Sequence, residues 1–179
     1  MEAQDILNFW FEELTTEQWW VKDPALDKSI ENRFGAVHQQ AIKGELYHWR
    51  NTARGRLAEV IVLDQFSRNI YRDNALAFAF DSQALVLAQE AIAQGCDKAL
   101  TPSERSFLYL PFMHSESLVI HDIAVGLYEQ NGIESNLDFE LQHRQIIERF
   151  GRYPHRNKLL NRTSTSEELA FLKQPNSSF

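Results

Sequence analysis

The chain has little cysteine, glycine and proline, and each scarcity excludes a class of protein. Its 179 residues include one cysteine, which excludes an internal disulfide and any zinc or iron–sulfur site built from several thiolates. Seven glycines and five prolines are too few for a collagen-like or linker-rich chain. Because 44% of the residues are hydrophobic and 24% are charged, the composition is that of an ordinary folded protein.

An excess of positive charge is lacking as well. The net charge of −7 argues against nucleic acid or an anionic membrane as the main partner. The first residues carry acids where a secretion signal has basic ones, and we find no apolar run close to the roughly 18–20 residues that span a bilayer. We therefore expect a cytoplasmic protein with neither a nucleic-acid nor a membrane partner. Only the segment 143–162, which is rich in arginine, departs from the acidic average.

Signals for helix are abundant, whereas strict alternation of apolar and polar residues is absent. Capping patterns stand at Asp23-Pro24, at Thr101–Glu104 and at Thr165–Glu168. Gly44 and Gly151 each follow a helical stretch and can end it in the left-handed conformation. These signals predict about eight helices, at 3–14, 24–43, 52–70, 76–94, 102–113, 117–130, 136–150 and 165–173.

The fold class that follows is all-α. Because the predicted connections are short, we expect successive helices to pack as antiparallel hairpins. There is no linker or sharp change of composition, so we expect one domain over residues 1–179. A chain of this length buries about 70% of its unfolded surface, which is enough for a hydrophobic core.

The predicted helix 52–70 is apolar on all sides, which is typical of a central, buried helix. Its last turns nevertheless carry Asp64, Gln65, Arg68 and Asn69. Asp64 and Arg68 are four residues apart, so both lie on one face and continue an apolar stripe. An unpaired buried charge costs several kcal/mol, so these two side chains must pair or meet a ligand.

Two further segments combine turn residues with titratable ones. Pro111 predicts a kink or restart of the helix near Leu110, which would place His114 and Glu116 at a helix junction. Near the C-terminus, Phe150–Asn157 reads FGRYPHRN, in which a glycine stops one helix and a proline stiffens the turn that follows. So tight a bend cannot direct all the nearby arginines to solvent, and we expect some of them to fold inward.

The strings LDQFSRN, LPFMHSE and FGRYPHRN, in this order, resemble the bacterial proteins catalogued as domain of unknown function 924. The resemblance extends over nearly the whole chain, including the ending from Asn161 to Leu172. It implies an α–α superhelical fold of the tetratricopeptide-like kind. It implies no activity.

The residues themselves suggest a ligand- or peptide-binding cleft. In this hypothesis Arg68, Arg152 and Arg156 hold an anionic group, such as a peptide carboxylate or a small phosphorylated metabolite. Asp64 and Glu116 would orient the guanidinium groups. The full candidate site is Asp64, Gln65, Arg68, Asn69, His114, Glu116, Arg152, His155 and Arg156.

Two alternatives remain open. In the first, the protein is a small-molecule enzyme in which His114 or His155 acts as general acid or base beside the arginines. In the second, the polar residues form a purely structural network that joins three segments of an interaction scaffold. His114 and His121 are seven residues apart, but no established metal-binding signature includes them, so we expect neither a metal nor a cofactor.

Overall fold

The computed structural model describes residues 1–175 and 177–178, and within them every regular element is helical. The α-helices are α1 Ala3–Asn8, α2 Pro24–Ile42, α3 Ala53–Ile61, α4 Ser67–Ile70, α5 Asp81–Ala93, α6 Pro102–Met113, α7 Leu118–Asn131, α8 Glu134–Phe150 and α9 Ser166–Phe171. A π turn, Phe9–Glu13, extends α1, and a second, Val62–Phe66, joins α3 to α4. The described helices therefore form eight rods, which confirms the predicted all-α class.

The predicted capping residues determine where several helices begin and end. Asp23 accepts hydrogen bonds from the backbone N–H groups of Ala25 and Leu26. Thr101 and Glu104 form a reciprocal capping box at the start of α6. At the end of α8, Gly151 has a φ of 68°, which turns the chain back toward the body of the protein.

The rod formed by α3, the π turn and α4 lies at the centre of the fold. It packs against α1, α2, α5 and α6, and its residues from Leu57 to Phe66 are almost completely buried. Aromatic rings fill the space around it, and the ring centroids of Phe34 and Phe66 are 5.1 Å apart. This confirms that the sequence 52–70 is a central helix. Helices α6, α7 and α8 then pack in succession, as the short connections predicted.

Three sequence-based expectations need correction. The predicted helix 76–94 is a 3-10 turn, Ala75–Phe78, followed by a break and then α5. The break places Asp81 in the first turn of a helix, where a carboxylate is favoured by the helix dipole. Pro111 does not restart the chain, because α6 continues to Met113 and the N–H of His114 still bonds the carbonyl of Leu110 at 2.9 Å. A proline in the last turn removes only one helical hydrogen bond.

The third correction concerns apolar length. The stretch Ala75–Ala93 is long and apolar enough, by length and composition alone, to cross a membrane, with a mean hydropathy of 1.2. The structure divides this stretch at Ala79 and Phe80, and the buried side of α5 is a row of alanines that includes Ala84 and Ala88. A single stretch of this kind is weak evidence, and the absence of a membrane partner stays a prediction.

Candidate functional site

Asp64 stands at the centre of the polar constellation, on the π turn of the central rod. Its side chain is 1% exposed. One oxygen, Oδ1, contacts Nδ1 of His114 at 2.7 Å and the Arg68 guanidinium at 3.2 Å. The other, Oδ2, accepts a hydrogen bond from the Gln65 amide at 2.5 Å. π turns occur often at functional sites because they interrupt the regular register of a helix.

The contact with Asp64 determines where the proton of His114 lies. Burial and the positive charge of Arg68 lower the pKa of His114, against the opposing influence of Asp64, so the ring is uncharged at neutral pH. Burial alone raises the pKa of Asp64, but the charge of Arg68 and the contact with His114 outweigh it and bring this pKa below its usual value. A neutral imidazole beside a carboxylate donates to it, so His114 carries its proton on Nδ1.

A second layer of charge links this pair to α5. Arg68 donates two hydrogen bonds to Asp81, at 2.9 and 3.1 Å. Arg156 donates to the same carboxylate at 3.2 Å and lies between the rings of Phe78 and Tyr153, 4.6 Å from each centroid. The partly buried Arg68 and the buried Arg156 therefore share the carboxylate that the break before α5 supplies. This connection joins the first and third sequence motifs.

The end of α6 is capped by side chains from distant parts of the chain. Three successive carbonyl groups at this end have no helical partner and accept from side chains instead. The carbonyl of Met113 accepts from the Tyr153 hydroxyl at 2.5 Å, that of His114 from Arg156 at 3.0 Å, and that of Ser115 from His121 Nε2 at 2.8 Å. The three contacts fix the backbone that carries His114.

Glu116 completes the junction between α6 and α7. It accepts two hydrogen bonds from Arg162, at 2.6 and 2.9 Å, and one from the backbone N–H of Tyr153 at 2.8 Å. Burial raises its pKa, but the hydrogen bond from Arg162 and the backbone contact outweigh burial, and the pKa lies below its ordinary value. Glu116 is therefore an ionised carboxylate that ties the second motif to the third.

A cleft of about 480 Å³ opens beside this network. Its apolar wall consists of Leu76, Phe78, Leu85, Pro111 and Leu160 together with two alanines, and its polar lining is Asp81, Ser82, His114, Ser115, Glu116 and Arg156. This volume lies within the usual range for small-molecule sites, which combine apolar walls with a few polar groups.

The two nitrogens of the His114 ring have different surroundings. Nδ1 contacts Asp64, whereas no hydrogen bond among the described residues involves Nε2. The side chain of His114 is 15% exposed and lines the cleft. Because the proton lies on Nδ1, Nε2 presents a lone pair to whatever occupies the cleft.

Of the nine candidate residues, the structure brings three to the cleft wall, namely His114, Glu116 and Arg156. Asp64 stands behind them in contact with His114, and Gln65 and Arg68 in turn contact Asp64. Asn69 instead donates to Asp27 at 2.9 Å, beside Arg72 and toward α2.

Arg152 and His155 do not line the cleft. Arg152 donates to Glu168 at 2.7 and 2.9 Å and to the carbonyl of Thr163, next to α9. His155 packs its ring against Tyr153, with centroids 5.6 Å apart. Burial, with the charge of Arg156, lowers the pKa of His155 to about 4.

The three arginines assigned to an anion are all engaged by carboxylates of the protein itself. Arg68 and Arg156 bind Asp81, and Arg152 binds Glu168. Asp64 orients Arg68 as predicted, but Glu116 pairs with Arg162 and not with Arg152 or Arg156. No group of three or more metal-binding side chains occurs within residues 1–175 and 177–178.

Sequence reasoning missed Asp81, Tyr153, His121 and Arg162 as members of the network. Asp81 had a signal, because an acid after Phe80 is typical of the first turn of a new helix. The other three act on backbone groups or carboxylates far along the chain, and no local pattern indicates such contacts.

The profile of a bacterial protein family of unknown function, DUF924, matches residues 6–176. The chain belongs to the DUF924 family. It is also similar to a solved structure, that of a protein of unknown function from Agrobacterium tumefaciens, with 40% sequence identity and a TM-score of 0.91. The match covers 96% of each chain. Among curated proteins, none matches this DUF924 chain.

Proposed function

We propose that this DUF924 protein binds a small molecule in the cleft and that Nε2 of His114 is the principal polar contact. The observation that carries the proposal is the 2.7 Å contact between Asp64 and Nδ1 of His114, which leaves Nε2 without a protein partner at the cleft wall. The capped end of α6 holds this ring in place without a ligand. A pre-positioned acceptor of this kind lowers the entropic cost of binding.

A fragment screen by NMR tests the proposal on the whole chain, with the His114→Ala and His48→Ala variants beside the wild type. His48 is exposed and is not among the residues that line the cleft, so its variant is a matched control. His114→Ala retains the contacts of Asp64 with Arg68 and Gln65, so we expect it to fold.

The expected result is a fragment that shifts the amide signals of Ser82, Ser115 and Leu160 in the wild type and in His48→Ala. The same fragment should bind His114→Ala more weakly, by up to about tenfold. A library whose members bind elsewhere, or bind His114→Ala equally well, would contradict the proposal.

The same pair favours a second candidate, in which the protein is an enzyme and His114 is its general base. Nε2 would take a proton from the substrate or from water, and Asp64 would stabilise the imidazolium that forms. His155 does not support this role, because it does not line the cleft. Hydrolysis of small neutral esters by wild type and Asp64→Asn is the test. The candidate predicts a loss of about a hundredfold or more in the variant, and equal rates would eliminate it.

A further inference from the structure

The charges around the cleft are matched within the protein. Arg68 and Arg156 share Asp81, and Arg68 also contacts Asp64. The guanidinium of Arg162 is held by Glu116. Each cationic group near the cleft thus already has a carboxylate within 3.2 Å. An anionic ligand would have to displace one of these carboxylates and leave it buried and unpaired, which is costly.

Most accessible polar groups at the cleft wall are acceptors. Arg156 also lines the cleft, but its terminal N–H groups donate to Asp81 and to the carbonyl of His114, and its Nε, which has no partner in the described chain, is buried. Nε2 of His114 has a lone pair and takes part in no hydrogen bond among the described residues. Asp81 and Glu116 also line the cleft with carboxylate oxygens, which accept and do not donate, and which already accept from Arg68, Arg156 and Arg162. The hydroxyl groups of Ser82 and Ser115 can do either. A ligand with an O–H or N–H donor therefore fits the wall better than one that offers only acceptors.

The remainder of the lining is apolar and suits a hydrophobic body. Leu76, Leu85 and Leu160 face the cleft together with Phe78 and Pro111. Burial of apolar surface contributes about 25 cal/mol per Å², so such a wall stabilises an apolar group and gives no advantage to a charged one.

We infer that the ligand of this cleft is a neutral molecule with an apolar body and a hydroxyl or amide hydrogen-bond donor, which it directs at Nε2 of His114. This inference rests on the proposed function and specifies its ligand class. It replaces the anionic ligand expected from the arginine-rich sequence, because Arg156 at the cleft wall and Arg68 and Arg162 near it already donate to carboxylates of the protein.

Three aromatic probes of similar size separate the relevant chemistries at pH 7.5. Phenol is neutral and donates an O–H, anisole lacks the donor, and benzoate is an anion. Binding is measured by titration of each probe against the 15N-labelled whole chain, with the amides of Ser82, Ser115 and Leu160 as reporters. Phenol is expected to bind up to about tenfold more tightly than anisole, since one hydrogen bond separates the two, and benzoate is expected to bind more weakly than either.

His114→Phe provides the matched variant, because it keeps a flat ring and removes the acceptor. In this variant phenol and anisole should bind equally. If benzoate binds the wild type most tightly of the three probes and shifts the same amides, the ligand class is overturned and the proposed function stays intact. Equal binding of phenol and anisole to the wild type would also overturn the ligand class. Absence of any shift at these amides with all three probes would overturn both proposals. The three wild-type titrations decide the question even if His114→Phe does not fold.

Discussion

The protein contains two pairs of a histidine and a carboxylate that look alike locally and differ in their surroundings. His114 contacts Asp64 at 2.7 Å, and His121 contacts Glu140 at 2.6 Å, in both cases through Nδ1. Nε2 of His121 is used inside the protein, on the carbonyl of Ser115, and neither member of this pair is exposed. Nε2 of His114 instead makes no hydrogen bond with the described residues, and the His114 side chain lines the cleft.

Both histidines contact a carboxylate, so the carboxylate does not distinguish their roles. What differs is Nε2, which is hydrogen-bonded within the described chain in the architectural pair and not in the candidate functional one. His121 belongs to the cap on α6, and burial raises the pKa of its partner Glu140 against the opposing influence of the histidine. His114 is what this cap positions. The closed pair, His121 with Glu140, therefore helps to hold the open pair, His114 with Asp64. The predictions below test the buried interior, the two pairs and the cap that joins them.

The largest effect is expected from acid, which acts on three further largely buried histidines outside both pairs. Burial lowers the pKa of His38 to about 4, of His143 to about 3 and of His155 to about 4. Below a pH of about 6.5 these histidines bind protons in the unfolded chain but not in the folded chain. The stability therefore decreases as the pH is lowered, until the pH reaches the pKa values of the folded state.

For these three histidines, the free energy of unfolding should decrease by about 5–6 kcal/mol between pH 7.5 and pH 5. Urea unfolding at the two pH values measures this difference. A free energy that changes by less than about 1 kcal/mol would show that the interior histidines are not held uncharged by burial.

The next largest loss of stability is expected from substitutions that break the His121–Glu140 pair or the His114–Asp64 pair, one at a time. His121→Ala leaves Glu140 buried without its partner and removes the cap on Ser115, so we expect a loss of about 3–5 kcal/mol. For a chain of this size that lowers Tm by about 6–20 °C. His114→Ala leaves Asp64 with Arg68 and Gln65, so its loss should be clearly smaller.

Calorimetry of the two alanine variants measures the difference. Equal losses would remove the distinction between an architectural pair and a functional one. A larger loss for His114→Ala would reverse it.

The smallest loss of stability is expected when the Tyr153 hydroxyl, which caps the end of α6, is removed. Tyr153→Phe removes the donor to the carbonyl of Met113, and Tyr128→Phe removes a similar buried donor to the carbonyl of Ser106 on the same helix. Each should destabilise by about 1–2 kcal/mol. Only Tyr153→Phe should also alter the imidazole signals of His114, because Ser106 lies far from the end of α6 in sequence.

A histidine NMR spectrum of both tyrosine variants checks this prediction. If His114 responds equally to both, or to neither, the cap does not position the ring.

Much of the fold could be predicted from local sequence, because caps and apolar patterns are local. The limits of α6 follow from Thr101 and Glu104, and the end of α8 follows from Gly151. The pairing of Asp64 with Arg68 followed from their spacing. In contrast, the break before α5 was hidden by an apolar stretch that reads as one helix from 76 to 94.

The site was less predictable, because its contacts join residues far apart in sequence. The three motifs do converge on one region, but the arginines in it serve the protein itself. Arg156 and Asp81 are 75 positions apart, and Glu116 and Arg162 are 46 apart. The arginine-rich sequence left both an anionic ligand and a structural network of internal pairs open, and the structure has internal ion pairs, including that of Arg152 with Glu168.

The state of the His114 ring tests the central claim most directly. A long-range 1H–15N spectrum of the 15N-histidine-labelled chain at pH 7.5, assigned with His114→Ala, reports which nitrogen carries the proton. The structure predicts an uncharged ring with its proton on Nδ1 and a lone pair on Nε2, whose signal moves when phenol is added. A ring protonated on Nε2, or on both nitrogens, would contradict the account, since the cleft would then present a donor and not an acceptor.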